Sequence, residues 1–256
     1  MLPRNFKPSY VDSSELIRIG SLYDGGYILT KELVRQTKHC VSFGISDNFD
    51  FEKHLNKLTK CSVESYDYSI DKKFWLERFK KDFIKFISLK IFKPKRIYNM
   101  FVYLDFLLFF NKKNNSFFLK RVDRNQFIDC MKKYEHNQGI LLKIDIEASE
   151  YDLIDIIEQY EKNIIGFVIE FHDLENNISI LKNFITNLKN YNLIHIHGNN
   201  YSSINKQGDP SVLEMTFSHK KYLNNFRQSN NRNYPINGLD YPNAKRAKDI
   251  KLNFEN

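Results

Sequence analysis

The chain has 256 residues, 42% of them hydrophobic, with 39 Lys or Arg against 31 Asp or Glu and a net charge of +8. That length and apolar content suit one α/β domain over residues 1–256, carrying an insertion or a small lid. No N-terminal segment pairs a basic start with a long apolar run, and no stretch reaches the roughly 18–20 apolar residues that span a bilayer, so a cytoplasmic protein is expected. The longest apolar run, Phe101 to Phe110, is interrupted by Asp105. Cys40, Cys61 and Cys130 lack CxxC spacing, which argues against zinc and disulfide roles. Between Asp71 and Asn125 there are 15 Lys or Arg against 5 Asp or Glu, and the remainder is slightly acidic at −2. The basic character therefore belongs to one segment. It reads as a solvated lysine-rich helix, as a lid attracting an anionic substrate such as a nucleotide diphosphate, or as an RNA-facing arm. The lack of a second basic patch weighs against nucleic acid.

In chain order, residues 1–38 form a preface: a loop with Pro3 and Pro8, an extended Leu16–Ile19, a turn at Asp24-Gly25-Gly26 and a short helix near Lys31–Gln36. A strand at His39–Phe43 closes in Gly44-Ile45-Ser46-Asp47-Asn48. Phe51, His54, Leu55 and Leu58 then fall at helical spacing, and a second strand, Cys61–Tyr66, ends in Asp67. Strand, tight glycine turn, helix and strand ending in an acid make the first half of a nucleotide-binding α/β unit. The basic insertion, about residues 71–125, opens with a helix over Lys72–Ile91 in which Phe74, Trp75, Phe79, Phe83, Ile84 and Ile87 form one apolar face, and Pro94 ends or bends it. A third sheet strand belongs either to the aromatic stretch 98–110 or to Ser116–Val122. After a helix at Arg124–Tyr134 the alternation is regular: strand Gly139–Ile146, helix Glu150–Tyr160, strand Ile164–Phe171, helix Ile178–Tyr191, strand Leu193–His197, and Val212–Phe217 alternating as an edge strand would. The pattern predicts a twisted, mostly parallel sheet with an antiparallel edge strand and helices on both faces.

Ligands of such sheets lie beyond the carboxyl ends of the strands. Polar residues collect there: Gly44 to Asn48, Asp67, Asp145 with Glu147, Glu170 with His172 and Asp173, and His197 with Asn199 and Asn200. Gly44 lets backbone approach a ligand closely. Asp67 either accepts hydrogen bonds from ribose hydroxyls or caps a helix. The turn has one glycine rather than the three of a dinucleotide fingerprint, and no GxxxxGK[ST] occurs, so a cofactor without a pyrophosphate fits better. S-adenosylmethionine (SAM) is the common one.

Leu142-Lys143-Ile144-Asp145-Ile146-Glu147-Ala148-Ser149-Glu150 resembles the LKIDxEGxE signature of FkbM-type methyltransferases, with Ala148 where the family has Gly. Ile19-Gly20 through Asp24-Gly25-Gly26-Tyr27 resembles the RxG…DGGY element of a subset of that family. Ser42-Phe43-Gly44-Ile45-Ser46, followed by Phe51-Glu52, is similar to its cofactor turn, and Tyr66-Asp67 to its acid after the second strand. The matches cover roughly residues 17–70 and 138–220, and the insertion lies outside them. The resemblance implies a Rossmann-like methyltransferase sheet and SAM-dependent O-methylation of a sugar or sugar nucleotide, as in bacterial surface (capsular) polysaccharide biosynthesis. It puts the cofactor against Gly25, Gly26, Gly44, Ser46, Asp47, Asn48, Asp67, Tyr68 and Asp145. It permits a metal without requiring one, and a homodimer is a further possible arrangement of the chain.

Methylating a hydroxyl needs a positioned acceptor and a base, a metal, or both. With Asp145, His172 and His197 are the catalytic candidates, each histidine just past a strand or at its end. Asp145, Glu170, His172 and His197 are equally a ligand set for Mg²⁺ or Mn²⁺, and a structural role for either histidine stays open. His195 reads as a buried, satisfied histidine. Glu147 and Glu150 could pair for glycosidic chemistry but are better explained by flanking a helix start. The competing functions are an RNA methyltransferase, a non-catalytic Rossmann-like binding module, and a glycosyltransferase using Asp145-Ile146-Glu147.

Overall fold

The computed structural model describes residues 1–87, 101–147, 149–223, 226–227 and 231–255. Its centre is a seven-stranded sheet of β3 (His39–Phe43), β4 (Ser62–Tyr66), β5 (Asn115–Phe118), β6 (Ile140–Ile144), β7 (Ile164–Phe171), β8 (Tyr191–Gly198) and β9 (Leu213–His219) in the order β5-β4-β3-β6-β7-β9-β8. The five strands from β5 to β7 are mutually parallel. Every residue of β6 and β7 is buried, as expected of parallel strands covered on both faces. The order reverses between β3 and β6, and a crevice opens there beyond the strand ends.

The antiparallel strand is present, but one place in from the edge. β9 pairs antiparallel with both β7 and β8, so β8 is the edge strand. Its apparent alternation misleads because both faces are covered: Leu213 through Ser218 are all buried, Glu214 and Thr216 included. The preface supplies a hairpin, β1 (Leu16–Gly20) with β2 (Gly26–Thr30), and the helix α1 (Lys31–Gln36), whose first turn is capped by Thr30. The hairpin lies over α2 (Asp50–Thr59), with the Tyr27 ring edge-on to Phe51 and Gly20 N donating to His54 Nδ1. The N-terminal residues pair with the tail through Leu2 and Phe254.

The third strand of the parallel half is β5, which falls in the second of the two segments expected to hold it, within the basic insertion. The aromatic stretch contributes the helix α4 (Val102–Phe110). The helix expected over Lys72–Ile91 is described as α3 (Lys72–Ile87). The bend at Pro94, residues 98–100 and the Ala148 position lie outside the described residues. The expected apolar face of α3 is not a core face: Trp75 is buried and Phe74 half-buried, but Phe79, Phe83 and Ile84 are exposed. α5 (Arg124–Lys132) is capped by Asp123, and α7 runs Leu174–Asn187, one turn earlier than its periodicity suggests. The helix expected over Glu150–Tyr160 breaks into a 3₁₀ turn, the short α6 (Ile154–Ile157) and another 3₁₀ turn. Its start has no side-chain cap, and the β-branched Ile154, Ile156 and Ile157 are weak helix formers.

Candidate functional site

The chain leaves β3 at Gly44, whose φ of 76° belongs to the left-handed region. A Cβ there would lie 1.7 Å from the Asp145 carbonyl oxygen, so the close crossing of the β3 and β6 loops requires glycine. The next two amides, Ile45 N and Ser46 N, donate to Asp67 Oδ2 at 3.0 and 2.8 Å, and Ser69 N and Oγ donate to Oδ1 at 2.7 Å each. Asp67 therefore clamps the loop after β3 to the loop after β4. A ribose hydroxyl would reach this carboxylate by displacing a donor, and the rotatable Ser69 hydroxyl is the one able to give way.

These loops wall a cleft of about 230 Å³ lined by Gly44, Ser46, Tyr66 to Ser69, Lys120 to Val122, Asp145 to Glu147 and Ser149. It gathers five of the expected cofactor residues: Gly44, Ser46, Asp67, Tyr68 and Asp145. Gly25, Gly26, Asp47 and Asn48 stand apart from its lining. Asn48 Nδ2 donates to Asp24 O at 2.8 Å, tying the hairpin turn to the β3 loop, and Asp47 pairs with Arg78 of α3. Lys120, Arg121 and Val122 lie within Ser116–Val122, one of the two segments offered for the third strand, but only the pairing of β5 with β4 brings them to the cleft. Ser46, Glu147 and Asp173 follow β3, β6 and β7 with φ of 47°, 48° and 49°, non-glycine residues held left-handed at three successive strand ends. Such strain concentrates at functional sites.

Beside the cleft, Asp145, Glu170 and His172 converge, each offering one ligand atom within 4.8 Å of the others. His172 Nε2 is 3.9 Å from Asp145 Oδ1 and 3.7 Å from Glu170 Oε1, while its other nitrogen, Nδ1, faces the buried Glu150 at 3.2 Å. Glu150 Oε1 also accepts the His172 backbone amide at 2.5 Å. Glu150 therefore fixes which ring nitrogen points at the cluster, the arrangement found behind metal-bound and basic imidazoles. Burial alone would lower the His172 pKa, but the Glu150 hydrogen bond and the charges of Glu150, Glu170 and Asp145 carry it up to about 9. Burial, reinforced by Asp145 and Glu214, raises the Glu170 carboxyl well above its usual range, although Asn199 donates to it at 2.7 Å.

Lys143 is the cation under this group. Burial opposes its charge, yet Asp145, Glu52 and Glu170 raise its pKa. Its ammonium donates to Gly44 O at 2.7 Å and lies 3.5 Å from Asp145 Oδ2, so it steadies both loops of the crossing. The roles of Lys143 and Glu150 went unrecognised in the sequence, although both stand in the nine-residue signature.

His197 is not part of this cluster. Its Nδ1 faces Glu214 Oε2 and its Nε2 faces Asp249 Oδ1, both at 3.0 Å. Burial would lower its pKa, and these two hydrogen bonds instead raise it to about 10. The cause is topological: β9 intervenes between β7 and β8, placing the His197 backbone two strand spacings, roughly 9.6 Å, from that of β7. His195 is buried and paired with Asp240 at 3.1 Å.

No family model matches the sequence, and no curated protein matches it. Among solved structures the chain is similar to an rRNA methylase from Streptococcus thermophilus, at 12% identity over 74% of this chain and 93% of that one, with a TM-score of 0.40. It is also similar to the Methanococcus jannaschii fibrillarin pre-rRNA processing protein, at 10% identity over 83% and 87%, TM-score 0.39, and to a chain of a fibrillarin/Nop5p complex, at 13% identity over 85% and 99%, TM-score 0.40. Likenesses this distant carry no chemistry, which rests on the residues of the cleft.

Proposed function

We propose that the protein transfers a methyl group from SAM to a hydroxyl of a sugar or sugar nucleotide. The observation that carries this reading is that the cleft at the sheet's reversal point and the Asp145–Glu170–His172 cluster share a wall, Asp145. A cofactor in the cleft and an acceptor at the cluster would meet there. Three carboxylates, Asp67, Asp145 and Glu147, border the cleft against two cations, Lys120 and Arg121, a net negative lining that suits a cationic cofactor bearing ribose hydroxyls. The FkbM-like signature gains a physical account: Lys143 braces the loops, Asp145 links the two subsites and Glu150 aims His172.

Bound SAM supplies an electrophilic methyl group. The chain supplies position and proton transfer: Asp67 and the Gly44–Ser46 loop hold the cofactor side, and His172 accepts the acceptor's proton at Nε2 while Glu150 holds Nδ1. The same donor set fits Mg²⁺ or Mn²⁺, which Asp145, Glu170 and His172 would hold and which would supply Lewis acidity to the hydroxyl. The two versions exclude each other at His172 because both use the Nε2 lone pair.

Calorimetry with SAM, followed by mass spectrometry of sugar nucleotides incubated with the enzyme, tests the proposal. Saturable SAM binding that weakens in Asp67→Ala, and a one-methyl mass gain, are expected. A protein that fails to bind SAM is not this enzyme. EDTA inhibition reversed by Mg²⁺ or Mn²⁺ identifies the metal version. An RNA acceptor is the second reading, favoured by the basic surplus of residues 71–125. Methyl incorporation into RNA and steeply salt-dependent RNA retention distinguish it.

A further inference from the structure

α4 is apolar nearly all round, a composition suited to complete burial, yet among the described residues only one side of it is covered. Val102, Phe106, Phe109 and Phe110 are buried, whereas Phe101, Leu104 and Leu108, spaced i, i+3, i+7 along the opposite side, are 54%, 51% and 62% exposed. α3 repeats the pattern with Leu76, Phe79 and Phe83, again at i, i+3, i+7 and all exposed, the two phenyl rings stacked with centroids 6.0 Å apart. The helices adjoin: the Trp75 ring lies 5.1 Å from both Tyr103 and Phe106.

The charge around these stripes has one dominant sign. Lys72 and Lys80 stand one turn on either side of Leu76, Lys73 and Lys81 follow each of them, and Lys112 and Lys113 come just past Asn111 at the end of α4; all six are exposed. Through the Arg78–Asp47 ion pair, α3 is tied to the loop after β3.

We infer that the outer faces of α3 and α4 dock on an anionic lipid surface. Large apolar side chains exposed beside clustered lysines are the two components of interfacial membrane binding, one entering the acyl boundary and the other drawn to anionic headgroups. Nucleic acid would match the lysines and could stack on Phe79, Phe83 and Phe101, but it leaves Leu76, Leu104 and Leu108, the other half of the stripes, exposed without a use. A protein groove would match the stripes but leaves the surplus of lysines over Asp71 and Glu77 along the border without a use. The inference is independent of the proposed reaction.

The test is co-sedimentation of the full chain with vesicles of phosphatidylcholine alone and of phosphatidylcholine mixed with phosphatidylglycerol. Binding to the mixed vesicles, falling with salt, is expected. Leu104→Asp with Leu108→Asp should weaken it at least about tenfold per leucine, with circular dichroism unchanged. Lys72→Gln, Lys73→Gln, Lys80→Gln and Lys81→Gln, surface changes that leave the core alone, should each weaken it about fivefold. Failure to sediment with the mixed vesicles overturns the inference. So does binding that survives all of these substitutions, retention on RNA that the lysine variants abolish while vesicles are ignored, or a dimer in solution that the leucine variants dissociate.

Discussion

Two regions of the molecule invert the usual distribution of polarity. On one face of the sheet Glu170, Glu214 and His197 lie in register across β7, β9 and β8, with Asp145 and His172 at the cleft end, and all but those last two are nearly fully buried. On α3 and α4, leucine and phenylalanine face outward between lysines. Charge buried in one place and apolar surface exposed in another both oppose folding, by desolvation in the first case and by forgone burial in the second. The first region offsets its cost internally, through Lys143, Asn199, Asn243 and Asp249. Among the described residues the second shows no such compensation on its outer stripes. The contrast is between a polar row paired within the fold and an apolar surface that faces outward.

The largest effect should come from breaking the polar row at its cleft end. For the proposed methyl transfer, His172→Ala should lower turnover by about 10²–10⁴-fold with SAM affinity retained, measured by single-turnover kinetics alongside calorimetry. As a base, His172 must lose a proton whose pKa is about 9, so the rate should climb with pH up to that region and the limb should vanish in the variant. A rate independent of pH through the same range would remove His172 as the base.

Next in size is the crossing that supports the row. Gly44→Ala combines a left-handed φ with a methyl group 1.7 Å from the Asp145 carbonyl oxygen, and should cost about 3 kcal/mol or more in chemical denaturation. A wild-type midpoint would show that the loops have room the structure denies them.

The far end of the row makes a pH prediction. His197 is raised to about 10 in the folded protein against about 6.5 unfolded. Its contribution is therefore fully present below about pH 6.5 and is lost as pH climbs toward about 10. His197→Asn should destabilise the protein by on the order of 2–3 kcal/mol at pH 6, and the gap from wild type should close by pH 10. A gap that widens with pH would mean the imidazole is held neutral.

The sheet was legible because β3, β6 and β7 are largely apolar runs leading into Gly44, Asp145 and Glu170, and burial on both faces leaves little ambiguity in such runs, whereas the more polar β4 was marked chiefly by the Asp67 that follows it. The cleft was legible in half. Gly44, Asp67 and Asp145 announce themselves by position, but Lys120 to Val122 depend on where β5 pairs, which is a long-range fact. Asp145, Glu170 and His172 came together as a set, while His197, equally well placed in the linear pattern, was separated from them by the insertion of β9. Periodicity showed that α3 has an apolar face without saying that the face looks outward, because a 3.6-residue repeat reads the same against a core or against an external partner.

The smallest effect sharpens the contrast from the exposed side. Phe106 and Leu108 are two residues apart on α4, one 5% and the other 62% exposed. Phe106 packs its ring against Trp75, Phe110 and Phe117 at about 5 Å, so Phe106→Ala should cost about 3–5 kcal/mol by leaving a cavity among aromatic rings. Leu108→Ser removes a side chain that is mostly in water already, and should shift stability by no more than about 0.5 kcal/mol. Equal losses would mean that Leu108 belongs to the core and that the outer stripe is covered by this chain itself. A near-zero cost at Leu108 beside a large one at Phe106 would show that folding does not require these leucines, leaving binding as the reason for an apolar residue there.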